Sequence, residues 1–445
     1  MLNKMAQTTL PQIVRGVCLM ALLSILLAAC APAPTKQTPF KDFGYQPPAS
    51  EYNGPIFKLS QDYPTLRPRP YKLPPMLDID FTKTWRPYLM SARDYCLEGN
   101  VDADWRVENN KVRKWYHAPW LDYGVDGREA IRGLTRETPL GVGQLAATQT
   151  YNKAAAYALA VYNEFGGFTI GRVWQDHNDP EPNVAANEGF PFGTVACKLI
   201  FVSMPADLRE AQVPYLQNPI LWQAYAYDYG STTNRKVQDV ALLQMDIMIR
   251  DSRARYGWVF GTFQYNGALN NKNPWDNLVP VGLQWGNNPE IVGEIPVLNE
   301  KGKFPAFTPV TTTPINDKLT DTRINPDADL PATHLGWGGR LNGPADSPWS
   351  SCFSCHMTAS YPEQPMSGAF VAAADRPVSG TLDWDRWWMQ WFQNNPWPRQ
   401  FYVVPRPAAN PPAINSLDFS WQLSLGIRNF YASLEPVTAT ATPAP

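Results

Sequence analysis

Histidine is scarce in this sequence, four in 445 residues, and among six cysteines there is only one close pair. A closed zinc site needs four thiol or imidazole donors, and besides His356 only His117, His177 and His334 remain, with no second cysteine pair. Zinc is therefore short of ligands. Charged residues make up only 18 % and the formal net charge is −2, so no basic stripe marks a nucleic-acid surface. No segment repeats at a fixed period, which argues against a solenoid or propeller. The apolar run from Gly16 to Ala29 is short of the ~20 residues that a membrane span needs.

Aromatics, by contrast, reach 13 %, with 17 Trp, and Pro is abundant at 44. This is a globular, loop-rich composition, neither disordered nor coiled-coil. It predicts many short elements in two or three domains, or in one domain with long insertions.

The start of the chain reads as an export signal. Lys4 and Arg15 precede the Gly16–Ala29 run, which has signal-peptide length. It closes on Leu27-Ala28-Ala29-Cys30, which resembles the bacterial lipoprotein signal, and that likeness implies a lipid on Cys30. Ala31 after it is similar to outer-membrane sorting in two-membrane bacteria. The expected place is the cell envelope, periplasm-facing, with the membrane reached through Cys30. Cys18 leaves with the leader. Cys96 and Cys197 are left either as a disulfide, which an oxidising compartment permits, or as two buried thiols acting as small hydrophobes.

From Ala31 to about Pro75 the Pro-rich chain predicts a tether and then a strap lying on the domain. Trp85, Tyr88, Leu89, Ala92 and Tyr95 stand at helical spacing within Thr82–Glu98, before Gly99 as a stop. An Ala-rich run from Asn152 to Phe165 predicts a second helix ended by Gly166-Gly167. Five stretches then favour strands, Thr169–Trp174, Gly193–Val202, Ile220–Tyr227, Val240–Arg250 and Gly257–Asn266, with one more strand-like stretch at Val279–Trp285. The segment from Gly267 to Asp346 is loop-like and runs through Gly-rich His334–Pro344. The expected class is α+β: an antiparallel sheet or open barrel, then a loop-rich and helical segment. The expected division is 1–29 signal peptide, 30–75 lipidated tether and strap, 76–330 mainly β domain with two or more helices, 331–436 haem c segment and 437–445 flexible tail.

That segment is named for Cys352-Phe353-Ser354-Cys355-His356. On a helical turn, cysteines three apart share a face, so both thiols reach the vinyl groups of one haem and the next His ligates its iron. A redox dithiol is the remaining rival, but a thioredoxin-like pair should follow a strand of an α/β unit, and this one follows a Pro- and Gly-rich loop. One motif predicts one covalent haem c. For the sixth iron position Met366 and Met389 are the candidates, since a thioether there favours electron transfer by raising the potential. Arg340 is either a partner of a haem propionate or a surface arginine. Trp384, Trp387, Trp388, Trp391 and Phe392 stripe a predicted helix over Asp383–Phe392, and Leu417, Trp421, Leu425 and Arg428 predict a last helix within Leu417–Leu434.

Two resemblances bear on this reading. Leu335–Thr358, with its Asn-Gly-Pro lead into Ser-Cys-Phe-Ser-Cys-His, looks like a set of uncharacterised bacterial monohaem c-type cytochrome lipoproteins, which implies haem attachment and export. Phe190–Lys198 and Tyr256–Phe263 ahead of a late C-x-x-C-H resemble the cytochrome P460 family, β-rich periplasmic haem proteins that oxidise hydroxylamine or bind nitric oxide. The likeness spans about Phe190–His356; the long stretch between Phe263 and Cys352 and the C-terminal extension depart from it. It implies that Lys198 matches the lysine that some of those proteins cross-link to haem; a solvent-facing strand lysine is the alternative.

The leading expectation is an exported, lipid-anchored monohaem cytochrome that passes electrons to a membrane or periplasmic redox partner. A second is a haem oxidoreductase or binder of a small nitrogen or oxygen species, with His117, His177, Glu164 and Arg340 as the polar groups of its pocket. A third is a structural or sensing subunit of a respiratory or outer-membrane assembly. An electron carrier needs only about a hundred residues around its haem, which leaves most of this chain for a partner or a substrate.

Overall fold

In chain order the elements are α1 (Trp85–Leu97), β1 (Thr135–Arg136), β2 (Ala155–Tyr162), α2 (Glu164–Val173), α3 (Asn183–Asn187), β3 (Val195–Ser203), α4 (Ala206–Gln212), β4 (Leu221–Tyr227), β5 (Arg235–Arg250), β6 (Trp258–Tyr265), β7 (Leu278–Gln284), β8 (Thr322–Ile324), α5 (Cys352–His356), β9 (Ser360–Tyr361), β10 (Asn415–Ser416) and α6 (Trp421–Leu434). They belong to a computed structural model that describes residues 39–69, 73–121, 127–137, 139–229, 231, 233–288, 315–347, 350–362 and 415–434. The leader, Cys30, Met366, Met389, the aromatic stripe at 383–392 and the tail from 437 lie outside the described residues. All sixteen elements from α1 to α6 lie within the compact unit Phe40–Pro445. No helix among the described residues is long and apolar enough to cross a membrane.

An eight-stranded antiparallel sheet, in the order β1-β2-β3-β5-β6-β7-β8 with β4 also on β5, forms the centre. The sixteen residues of β5 make this arrangement: β4 pairs with its first half, Arg235–Ala241, and β6 with its second, Gln244–Arg250, while β3 lies along Ala241–Ile249. Pro280 cannot donate a ladder bond, and it stands where the β6–β7 register slips, as strand prolines do.

The two faces of the sheet differ in chemistry. On one, Leu199, Met245, Ile247, Val259 and Phe263 pack with Tyr88, Leu89 and Ala92 of α1, and the buried Asp251 just past β5 accepts from the Tyr88 hydroxyl at 3.0 Å. Gly261 lets α1 come close: a Cβ there would lie 2.2 Å from Leu89 Cδ1. Cys96 of α1 is joined to Cys197 of β3, with Cα atoms 6.2 Å apart. On the other face Ala160, Ala196, Met248 and Phe260 meet Phe353, Met357, Phe419, Leu423 and Ile427 of the C-terminal elements. Between them runs one cross-strand row, Ala160–Lys198–Asp246–Thr262–Gly282–Ile324, in register over six strands. Lys198, Asp246 and Thr262 are its polar members.

Residues 40–63 cross the unit as extended chain. Phe40, Phe57 and Leu59 are buried, and Gly44 and Phe57 donate backbone bonds to the carbonyls of Arg128 and Ala130.

Two sequence expectations are corrected. Asn152–Phe165 is not a helix: Ala155–Tyr162 is strand β2, buried along nearly its whole length between β1 and β3. A strand covered on both faces shows an unbroken apolar run, which periodicity does not separate from a buried helix. Thr169–Trp174 is not a strand but the end of α2, whose N-cap Asn163 accepts a bond from Gly166 N. Gly166 and Gly167 thus lie inside a helix and serve close packing. Cβ atoms there would meet Tyr162 Cδ1 at 2.5 Å and Tyr116 Cδ2 at 2.4 Å.

Candidate functional site

A short helix carries the Cys-x-x-Cys-His run because its neighbours are made to start it there. Ser351 is the N-cap of α5 and forms a capping box with Ser354: Ser351 Oγ accepts from Ser354 N at 3.2 Å, and Ser354 Oγ accepts from Ser351 N at 2.8 Å. Gln284 of β7 accepts a bond from Phe353 N at 3.2 Å, and Leu341 O accepts one from Cys352 N at 3.1 Å, so α5 is tied to the sheet. Phe353, wholly buried, packs among Tyr256, Phe260 and Phe419. These contacts fix the helix and leave its three chemical groups on one turn.

Cys352 and Cys355 are unbonded and half-buried. Burial, then the nearby Asp346, pushes both thiols up, Cys355 to about 12. Reactive dithiols work through a lowered pKa, so these thiols do not suit the redox-dithiol reading. Among the described residues no group of three or more His, Cys, Asp or Glu is placed to hold a metal ion.

His356 is held by its other ring nitrogen. Nδ1 lies 2.9 Å from the carbonyl of Phe419, so Nδ1 carries the proton in that bond, and among the described residues Nε2 has no hydrogen-bond partner. Burial pulls the imidazole down to about 4, which keeps it neutral. A neutral imidazole with Nδ1–H on a backbone carbonyl and Nε2 open is the arrangement of a metal-ligating histidine. The donor set, two adjacent unbonded thiols and this imidazole, fits a covalent haem.

The carbonyl that does this comes from a strained turn. Asp418 and Phe419 both have positive φ, 47° and 68°, a region that non-glycine residues enter at a cost. The Asp418 carboxylate holds them there, accepting from Phe190 N at 2.7 Å and from Trp258 Nε1 at 3.0 Å. Trp421 Nε1 donates to Cys355 O at 2.9 Å, which joins α6 to the motif.

Beneath the thiols lies the polar part of the sheet. Thr262 Oγ1 is 3.5 Å from Cys352 Sγ and donates to Asp246 Oδ1 at 2.9 Å. Gln244 Nε2 is 2.9 Å from both oxygens of Asp246 and 2.9 Å from Asp346 Oδ2. Asp346 is delivered by the Asn-Gly-Pro turn: its carboxylate accepts from Gly343 N at 2.9 Å, and a Cβ on Gly343 would strike the Gln244 side chain at 2.3 Å. Lys198 pairs with Glu137 at 3.1 Å, and 30 % of each side chain is exposed. Burial, then Asp346, raises Asp246 to about 7; burial also raises Asp346. Burial opposes the charge on Lys198, but Glu137, Asp246 and Asp346 together hold its pKa up.

Of the other candidates, His117, His177 and Glu164 lie elsewhere. His117 is a packed core residue whose Nδ1 accepts from Ser60 N at 2.9 Å and whose ring meets the edge of Phe57. His177 stacks on Phe40, and Glu164 is an exposed residue at the start of α2. Arg340 is no surface residue: it is fully buried, bonded to Asn287 Oδ1, and burial lowers it to about 9. Sequence reasoning missed Asp246, Asp346, Glu137 and the Phe419 carbonyl. A lone acid inside the apolar run of β5 was the available signal for Asp246. No family model, curated protein or solved structure matches the chain.

Proposed function

We propose that this chain is an exported, lipid-anchored protein carrying one covalent haem c, with Cys352 and Cys355 as thioether anchors and His356 as proximal ligand, and that it exchanges electrons with a redox partner at the cell envelope. The observation that carries this reading is the His356 Nδ1 bond to Phe419 O beside two unbonded thiols on a capped turn. Bound there, the group supplies reversible one-electron exchange at its iron. The chain's own residues orient the imidazole through Phe419, exclude water with Phe353 and Phe260, and set Arg340 as the buried cation for a propionate. The anchor at Cys30 and the periplasm-facing place rest on the leader alone.

The test is to express the chain in a host with periplasmic haem-attachment machinery and record its mass and its pyridine haemochrome spectrum. One haem mass per chain is expected, with the spectrum of two saturated vinyls. A mass equal to the bare polypeptide refutes attachment.

A second reading, a haem oxidoreductase or binder of a small nitrogen or oxygen species, is favoured by the Lys198–Asp246–Thr262 row, which sets ionisable groups beside the motif where a bound small molecule can exchange protons. Carbon monoxide separates the two. An unchanged reduced spectrum supports a closed iron and the carrier; a shifted one supports ligand chemistry.

A further inference from the structure

The carboxylates of Asp246 and Asp346 come from strand β5 and a turn a hundred residues later, and they meet on one amide, Gln244 Nε2, at 2.9 Å each. Their oxygens are therefore within twice that distance of each other in a largely buried layer. Two carboxylates so close disfavour each other's charge, so the pair keeps a proton more readily than a lone carboxylate does. The charged and titratable groups facing the pair are Lys198 of β3, Glu137, and the two thiols of α5. Thr262 links the pair to the motif, since its hydroxyl bonds Asp246 and touches Cys352 Sγ.

We propose that Asp246 and Asp346 form a proton-exchanging pair that takes up one proton from solvent when the haem anchored at Cys352 and Cys355 is reduced, and returns it on oxidation. This rests on the proposed haem attachment. The electron comes from the one-electron redox partner and ends on iron; the proton comes from bulk water through the half-exposed Lys198–Glu137 edge and ends on a carboxylate oxygen. The direction follows from charge. A carboxylate near the haem edge favours the ferric state, whose extra positive charge it offsets, and ferrous iron removes that attraction, so the pair binds its proton more tightly.

The experiment is a spectroelectrochemical titration of the haem-loaded full chain over about pH 5–9, for wild type, Asp246→Asn and Asp346→Asn. In the wild type the midpoint potential falls as pH rises through neutrality, with a limiting slope of about 59 mV per tenfold change in proton activity for one electron. Asp246→Asn and Asp346→Asn both flatten the curve while leaving the haem mass intact. A wild-type potential independent of pH, or a slope kept in both variants, overturns the proposal. Should Asp246→Asn fail to fold, Thr262→Val, which cuts the link from Asp246 to Cys352, must change the slope, and an unchanged slope overturns it equally. A chain with no covalent haem overturns the haem reading and this one with it, whereas a haem-loaded chain with a flat potential overturns this one alone.

Discussion

Asp418 gives the sharpest test of how the turn before α6 serves His356. Its carboxylate, 15 % exposed, accepts two hydrogen bonds, from Phe190 N at 2.7 Å and Trp258 Nε1 at 3.0 Å, and Arg250 Nε is 3.9 Å away. A hydrogen bond to a charged group contributes about 1.5 kcal/mol or more, so Asp418→Ala should cost about 3 kcal/mol from the bonds alone. Alanine must also hold φ near 47°, which adds about 1 kcal/mol of backbone strain. The expected total is about 4 kcal/mol. Asp418→Asn keeps one acceptor oxygen and tolerates the left-handed region, so about 1.5 kcal/mol is expected. Urea unfolding followed by circular dichroism measures both, comparing midpoints at unchanged slope. A loss below about 1 kcal/mol for Ala, or an Asn variant as weak as the Ala one, would falsify the claim that this carboxylate holds the turn. In haem-loaded protein the Ala variant should also shift the reduction potential, because the Phe419 carbonyl no longer fixes the ring of His356.

The remaining predictions concern the sheet and its two faces. Removing the Cys96–Cys197 bond, which closes a loop of 101 residues, should destabilise the fold by up to about 4.7 kcal/mol, read as a lowered urea midpoint for the double Ser variant; an unchanged midpoint would contradict it. Asp246 is an acid whose folded pKa, about 7, lies above its ordinary 3.8. Folding therefore favours its protonated form, and its unfavourable contribution is absent below about pH 4, grows as pH rises, and levels off above about pH 7. Asp246→Asn should thus stabilise the protein by up to about 4 kcal/mol at pH 8 and by little at pH 4; equal effects at the two pH values would refute the burial argument. Gly167→Ala should gain about 1 kcal/mol of helix propensity yet lose more, because its Cβ would meet the Tyr116 ring at 2.4 Å and Tyr116 is pinned by two backbone bonds to Tyr162. A net loss of about 1–2 kcal/mol is expected on thermal unfolding, and a stabilised variant would show the ring is free to retreat.

How much of this could be read beforehand depended on the range of the signal. Strands β3 to β7 were legible because β-branched and aromatic residues cluster between turn residues, and α1 was legible because Tyr88, Leu89 and Ala92 keep helical spacing and Gly99, at φ 72°, ends it. The swap of β2 and α2 arose where local signals reverse meaning under burial. An Ala-rich run looks helical until it is covered on both faces, and a Gly-Gly pair looks like a stop until two tyrosines pack on it. At the site, the motif and Lys198 were visible, whereas Asp346, Gln244 and Phe419 are brought to it by contacts across a hundred residues or by a backbone carbonyl. Neither leaves a mark in local sequence.

The contrast between the two sheet faces bears on why so long a chain surrounds a five-residue motif. Val or Leu at positions 198, 246 and 262 would continue the packing seen under α1, and replacing buried ionic groups by apolar ones is often neutral or stabilising. The fold instead keeps a lysine and an acid in one register row, brings a second acid to them on a turn whose glycine exists to approach Gln244, and sets them against Cys352. Packing alone does not require that layer. Were the proposed haem held at Cys352, Cys355 and His356, charges retained at a cost beside it would serve what happens at its iron. On that proposal one sheet face mainly packs and the other also sets the surroundings of the site.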